Sequence, residues 1–199
     1  RWDLDINYSL NRNMVLEIND QRPMVQVGNI TIQQGQPFGN IYERGFVRDS
    51  TGAVIVGSNG IPEVTAGNTV KVANFNPDWL GSISSTFTYK NFSLNILIDT
   101  RQGGSMYSSQ DARLYGDGQA KATLNGRDGG LIFGSSNFFP NERAVLANGQ
   151  KNNIPVTSED FWQANGGRND VTGELYRVSA TNTRVRSLSL TYFVPLSKY

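Results

Sequence analysis

The 199-residue sequence predicts an all-β protein built from antiparallel strands. Residues 80–107, LGSISSTFTYKNFSLNILIDTRQGGSMY, hold two runs in which apolar and polar side chains alternate about a joint at Tyr89-Lys90-Asn91. The same alternation opens the chain at residues 2–10 and closes it within 176–196. Glycine is abundant at 21 residues and aromatics make up 11%, the composition of strands joined by large loops rather than of helices.

In chain order, Trp2, Leu4, Ile6, Tyr8 and Leu10 share one side of the first strand, with Asp3, Asp5, Asn7 and Ser9 on the other. Ser9–Asn13 then reads as a polar turn, and Met14–Ile18 as the start of a return strand. Residues 26–33 predict a short strand. Residues 45–56 predict two more about a tight turn at Asp49-Ser50-Thr51-Gly52, and 70–72 another. Asn76-Pro77-Asp78 is turn chemistry leading into the central hairpin. In that hairpin, Ile83, Phe87 and Tyr89 lie opposite Ser82, Ser84, Thr86 and Thr88. On the second arm, Phe92, Leu94, Ile96 and Ile98 lie opposite Ser93, Asn95, Asp99 and Arg101.

Residues 103–175 form the longest stretch without alternation. Within it, 109–114 and 158–164 each fit a short helix, the second with Ser158 as N-cap and acids in its first turn. The closing strand, 176–196, sets Leu188, Leu190, Tyr192 and Val194 against Ser187, Ser189 and Thr191. Arg184 and Arg186 share the parity of its oily side. If that side meets lipid, either this half rises above the bilayer or a β-bulge switches its parity.

An oily strand face is satisfied by a second sheet, as in a soluble sandwich, or by lipid around a transmembrane barrel with a polar lumen. Alternation alone does not choose. Each hairpin arm has about the 9–11 residues that cross a bilayer, and Phe87, Tyr89 and Phe92 gather at the turn end, where barrels carry an aromatic girdle. A connection as long as 103–175 is foreign to a compact soluble domain and ordinary as an extracellular barrel loop. No apolar run approaches the roughly 18 residues of a membrane-crossing helix.

Cysteine and histidine are both absent, which excludes disulfides, thiolate chemistry and any Ser-His-Asp or Cys-His centre made by this chain alone. With a net charge of +1 and no basic block, nucleic acid is not an expected partner. The glycines at 126–130 are not followed by the Lys-Ser/Thr of a phosphate cradle. The acid pairs Asp3/Asp5 and Glu159/Asp160 read as a solvated strand face and a helix start, so no enzyme activity and no cofactor are expected. The chain opens at Arg1 with no charged n-region or apolar h-region, so a mature chain or a piece of a longer one is expected.

One set of motifs is more specific. Asp99-x-Arg101-x-Gly103-Gly104-x-x-Tyr107 within YKNFSLNILIDTRQGGSMY is followed by Leu124-Asn125-Gly126-Arg127, by Glu159-Asp160-Phe161-Trp162 and by Val185–Tyr192 with Pro195. Before them stand an alternating strand ending in Asn11-Arg12-Asn13, then Gly35-Gln36-Pro37-Phe38-Gly39-Asn40-Ile41-Tyr42, then Asn74-Phe75-Asn76-Pro77-Asp78. In this order, over essentially the whole chain, they resemble the SusC/RagA-like TonB-dependent outer-membrane transporters of Bacteroidetes. The resemblance implies that residues 1–199 are a late portion of a large plugged barrel of roughly 22 strands, contributing about five to seven of them. It implies that Ser9–Asn13 and Tyr89–Asn91 are periplasmic turns and that 103–175 is an extracellular loop. The plug and the TonB-interacting region would lie outside this chain. It further implies an outer-membrane importer of glycans or peptides, embedded in outer-membrane lipid, served by a SusD-like surface lipoprotein and powered through TonB, with no cofactor.

The candidate substrate-binding residues are Asp99, Arg101, Tyr107, Tyr115, Arg127 and Trp162. Asp99 and Arg101 are expected to line the lumen, or else to pair with charges on a neighbouring strand. Tyr107, Tyr115, Phe161 and Trp162 suit stacking on sugar rings or on a lid protein, or else packing of the loop's own small core. Arg127 occupies a family-like loop position, with no role derivable from its neighbours. The alternative is a soluble, secreted β-sandwich that binds carbohydrate, in which the oily faces pack on one another. A soluble glycosidase would instead need a cleft joining two separated carboxylates.

Overall fold

The computed structural model describes residues 1–19, 21, 23–168 and 171–195. In chain order its elements are β1 (Trp2–Ser9), β2 (Met24–Val27), β3 (Ile30–Gln33), β4 (Asn40–Glu43), β5 (Val54–Val56), β6 (Val70–Asn74), β7 (Trp79–Tyr89), β8 (Phe92–Gln102) and β9 (Ser105–Tyr107). There follow α1 (Ser109–Gly116), β10 (Ala144–Leu146), α2 (Ser158–Asn165), β11 (Arg177–Ser179) and β12 (Asn182–Tyr192), with two short 3-10 turns at Lys121–Leu124 and Gly173–Tyr176. The molecule is mostly antiparallel sheet with few helices, as the alternation predicts.

The long alternating runs assemble into one sheet in the order β1-β7-β8-β12, antiparallel throughout. β7 and β8 turn back through Lys90 and Asn91 alone, with Lys90 held at φ 50°. Pairing of Trp2 with Phe87, Phe87 with Leu94 and Leu94 with Leu190 puts the apolar residues of the four strands on one face. This face is bare: Ile6 is 68%, Leu188 68% and Leu190 70% exposed. On the opposite face, Asn95 donates to Thr86 Oγ1 across the hairpin at 2.8 Å. Among the described residues the sheet is open, and β1 and β12 each have a single strand neighbour.

The closing strand resolves its arginines with a bulge. The register runs Arg184 to Asp99 and Val185 to Ile98, then resumes with Ser187 opposite Leu97, leaving Arg186 as the extra residue. Val185, Leu188, Leu190 and Tyr192 thereby share the oily face. Arg184 and Arg186 both reach Asp99 on the polar one. A short break at residues 180–181 separates β11 from β12, and Leu196, at the end of the predicted strand, lies outside the described residues.

Several expectations are corrected. Met14–Ile18 is not a strand. β1 takes β7 as its partner, and the polar Asn11-Arg12-Asn13 carries the chain off the sheet, where Val15 exchanges backbone hydrogen bonds with the turn at Gly35 and Gln36 (2.8 and 2.9 Å). Ser9–Asn13 is therefore not at the same end as the Lys90–Asn91 turn. Ser9 pairs with Leu80, and Leu80 with Arg101, at the opposite end of the sheet. The main sheet receives four strands rather than five to seven, because the apolar runs between β1 and β7 are too short to extend it. Residues 26–33 form two strands about Gly28 (φ 62°) rather than one.

Both long connections, 10–78 and 103–181, leave and re-enter the sheet at its Ser9/Leu80/Arg101/Asn182 end, and they fold together. β2-β3-β4-β6 form a second antiparallel sheet, with Ile41, Val72 and Ala73 buried. The Asp49 turn forms as predicted. Its Oδ1 accepts from the Thr51 and Ala53 amides at 2.8 and 3.0 Å, and Gly52 N donates to Asp49 O at 3.0 Å. The strand beyond it, β5, pairs in parallel with β10, so that residues 54–56 and 144–146 share one core. That core is aromatic, with Phe133 fully buried among Phe46, Phe138, Phe139 and Phe161. Arg48 ties its rim to Glu142 at 2.9 Å and also to Glu174.

The two helices form where the sequence places them, but the N-cap of α2 is Thr157, whose Oγ1 accepts from Asp160 N at 3.0 Å. Ser158 is buried instead and donates to Thr123 O at 2.8 Å, stapling α2 to the 3-10 turn. Because Phe133 fills the centre of the loop core, Phe133→Ala is expected to cost about 3–5 kcal/mol, read from urea unfolding followed by near-UV circular dichroism.

Candidate functional site

α1 and α2 meet backbone to backbone. A Cβ on Gly116 would sit 2.2 Å from Gly167 N, and Gly167 N donates to Ala112 O at 2.7 Å, so only glycine permits this approach. The contact brings the rings of Tyr115 and Trp162 to 4.5 Å between centroids, tilted by 52°. Between them and the 3-10 turn opens a cleft of about 460 Å³, walled by Tyr115, Asp117, Thr123, Arg127, Glu159 and Trp162 among others.

Arg127 lies along this wall, its Nε donating to Thr123 O at 3.3 Å and its Nη2 to Gly118 O at 3.2 Å. Glu159 accepts from Gln163 at 3.1 Å, one turn further along α2. Trp162 is 7% exposed, and its indole N–H is buried without an acceptor among the described residues. The cleft thus presents aromatic surface, one guanidinium and two carboxylates. It has the groups to accept hydrogen bonds from a polyhydroxylated or cationic ligand and to stack an apolar ring face. Among the described residues no cluster of metal-ligating side chains forms.

Tyr115, Arg127 and Trp162 are therefore brought together from positions far apart in sequence. The other candidates are not. Asp99 sits on the polar face of β8, held by Arg184 Nε at 2.9 Å and Nη2 at 3.2 Å and by Arg186 Nε at 2.8 Å. Of its two expected roles, the charge pair with a neighbouring strand is present. Arg101, two residues on, leaves Asp99 alone. Its Nη2 donates to Phe75 O, pinning the segment that leads into β7, and its Nε is buried without a partner among the described residues.

Tyr107 belongs to β9, paired opposite Arg177 and packed against the Ile41/Val72/Ala73 cluster. Burial raises its phenol pKa, and the nearby Glu43 carboxylate raises it further. Phe161 is wholly inside the loop core, so it packs the loop rather than facing a ligand. Sequence reasoning missed Asp117 and the cleft role of Glu159. The only signal for either was the Gly116/Gly166/Gly167 spacing that lets α1 approach the end of α2.

Glu43 itself is partly buried in β4, and desolvation raises its pKa above the ordinary 4.5, opposed by a hydrogen bond from Asn29. The folded state then holds this proton more tightly than the unfolded chain, so stability falls as pH rises beyond 4.5. Glu43→Gln is expected to raise the melting temperature at neutral pH, with the gain vanishing below that value, as measured by thermal unfolding across pH. Neither the protein-family models nor the curated proteins compared with this chain give a match.

Proposed function

We propose that the chain is part of the wall of a SusC-like outer-membrane importer, with β1, β7, β8 and β12 in the bilayer and the two long connections as an external cap. The observation that carries this reading is the bare oily face of the four-stranded sheet. Contiguous apolar surface of this kind marks an interaction site, and the other described residues leave Ile6, Phe87, Leu188 and Leu190 uncovered. A soluble sandwich would lay a second sheet there.

The face has the shape lipid requires. At the tight-turn end it carries Trp2, Phe87, Tyr89, Phe92 and Tyr192, with the rings of Phe92 and Tyr192 4.7 Å apart. At the far end Trp79 lies over Gly81 against Tyr8, 5.6 Å between centroids. From Tyr89 to Trp79 along β7 is about 33 Å at roughly 3.3 Å per residue. A tilt of about 40° reduces this to about 25 Å, the height of an outer-membrane barrel's apolar band between its aromatic girdles. A two-residue turn at one end and both long excursions at the other match short periplasmic turns and long extracellular loops. The open edges of β1 and β12 then pair with further wall strands, because unpaired backbone is not tolerated in lipid.

In this role the chain is a passive wall and cap rather than an enzyme. A glycan or peptide is delivered with a SusD-like lipoprotein and passes the polar face. TonB opens the way through a plug outside these residues. Tyr115, Arg127 and Trp162 are the cap residues proposed to meet cargo.

Leu188 separates this reading from a soluble one. Its side chain is exposed, so in water Leu188→Arg costs within about 0.5 kcal/mol. Facing lipid near mid-strand, it costs about 2–4 kcal/mol. Leu188→Arg is expected to lower the fraction recovered in outer membranes with a heat-shifted gel band, while Ser189→Arg on the polar face leaves it unchanged. Equal recovery of both variants, or a protein folded in solution without detergent, contradicts the proposal.

A further inference from the structure

A second cleft, of about 930 Å³, opens where the strands of the main sheet feed into the cap. Arg12, Lys71 and Arg177 line it, and Asp78 is the lone carboxylate among its lining residues. These three cations come from the β1 exit, from β6 and from β11, elements distant in sequence. Among the described residues, none of their side chains forms an ion pair or a hydrogen bond.

The cleft's amides, by contrast, are largely engaged in holding its walls. Asn13 Oδ1 accepts from Phe38 N at 2.8 Å. Asn74 donates to Asn40 Oδ1 at 2.7 Å and accepts from Asn76 N at 2.8 Å. What remains unpaired at the surface is three cations against the single carboxylate of Asp78.

The floor adds to it. Gly104, at φ 79°, allows Arg101 to lie directly behind, and a Cβ there would meet Arg101 Nη2 at 3.0 Å. Among the described residues Arg101 donates to a neutral acceptor, Phe75 O, and Asp99 does not balance it because Arg184 and Arg186 already hold that carboxylate. Excess positive charge is therefore gathered at the mouth of a chain whose net charge is only +1. Such a concave patch concentrates anions by focusing the field.

We infer that this mouth cleft binds an anionic oligosaccharide through its carboxylate or sulfate groups, which narrows the cargo class of the importer reading on which the inference rests. The volume holds several sugar units and not a single small ion. No aromatic side chain lines it to anchor an apolar peptide residue, whereas Asn11, Ser179 and Thr181 suit sugar hydroxyls.

The test is calorimetric titration of the purified protein in detergent with a galacturonate tetrasaccharide, a neutral galactose tetrasaccharide and an acidic tetrapeptide. The galacturonate oligomer is expected to bind, and the neutral one to bind at least about tenfold more weakly. Lys71→Ala/Arg177→Ala, a change at two exposed positions, is expected to cost about tenfold or more for the acidic sugar. Raising salt from about 0.05 to about 0.5 M is expected to weaken binding further. Equal affinity for the neutral sugar, indifference to the double substitution, or binding of the peptide alone overturns the inference. A heat-shift gel on the same preparations reports barrel assembly separately. A properly shifted protein that ignores the acidic sugar refutes only the cleft, and a binding protein that never shifts refutes only the wall.

Discussion

Strand register across β1-β7-β8-β12 is the constraint on which the rest of the structure depends. Side chains along a strand alternate with period two, so a slip of one residue would exchange the oily and polar faces of a whole strand. The register holds because the apolar sets of four separate segments agree: Ile6 with Ile83, Ile83 with Ile98, Ile96 with Leu188. The one segment that disagrees is corrected within the strand. Arg186 is bulged out, and the parity of everything before it reverses. Without the bulge, Arg184 and Arg186 would share the face of Leu188 and Leu190. With it they close on Asp99, and Val185 takes the outward position.

The cap depends on the sheet for its geometry but not for its core. Both connections start and finish at one end of the sheet, which brings residues 54–56 beside 144–146 and α1 beside α2. Their aromatic cluster is buried by their own side chains, so the cap can shape two clefts while the sheet leaves the apolar side chains of one face exposed. One cleft is aromatic and mixed in charge; the other has no aromatic lining and an excess of cations. They divide the cap's surface chemistry into stacking and charge attraction.

Much of the main sheet was legible in the sequence, and much of the cap was not. The hairpin about Lys90, the first strand, the Asp49 turn, the two helices and the conflict of parity at the arginines all follow from local spacing; that a bulge resolves the conflict does not. Local spacing does not identify a strand's partner. Met14–Ile18 has strand composition, yet β7 offers β1 a longer complementary set, and that choice also decided on which end Ser9–Asn13 lies. The cap core escaped notice for a related reason. Phe46, Leu131, Phe133 and Phe138 sit in irregular segments without periodicity, and the parallel pairing of β5 with β10 spans about half the chain. Asp99 and Tyr115 show the same limit at the sites. Their residue types pointed to both a structural and a ligand-facing role, and only the tertiary neighbours separated them: two arginines in one case, Trp162 and an open cleft in the other.

The central claim, that the oily face of this sheet meets lipid, is tested most directly by nitroxide scanning along β8. The chain has no cysteine, so single cysteines at 94 through 98 label without interference. In lipid vesicles, collision with oxygen should be high at 94, 96 and 98, and collision with a water-soluble nickel chelate high at 95 and 97, giving a two-residue alternation. Chelate access at every position, or protection of 94, 96 and 98 from both reagents, would mean that water or protein covers this face and would contradict the account.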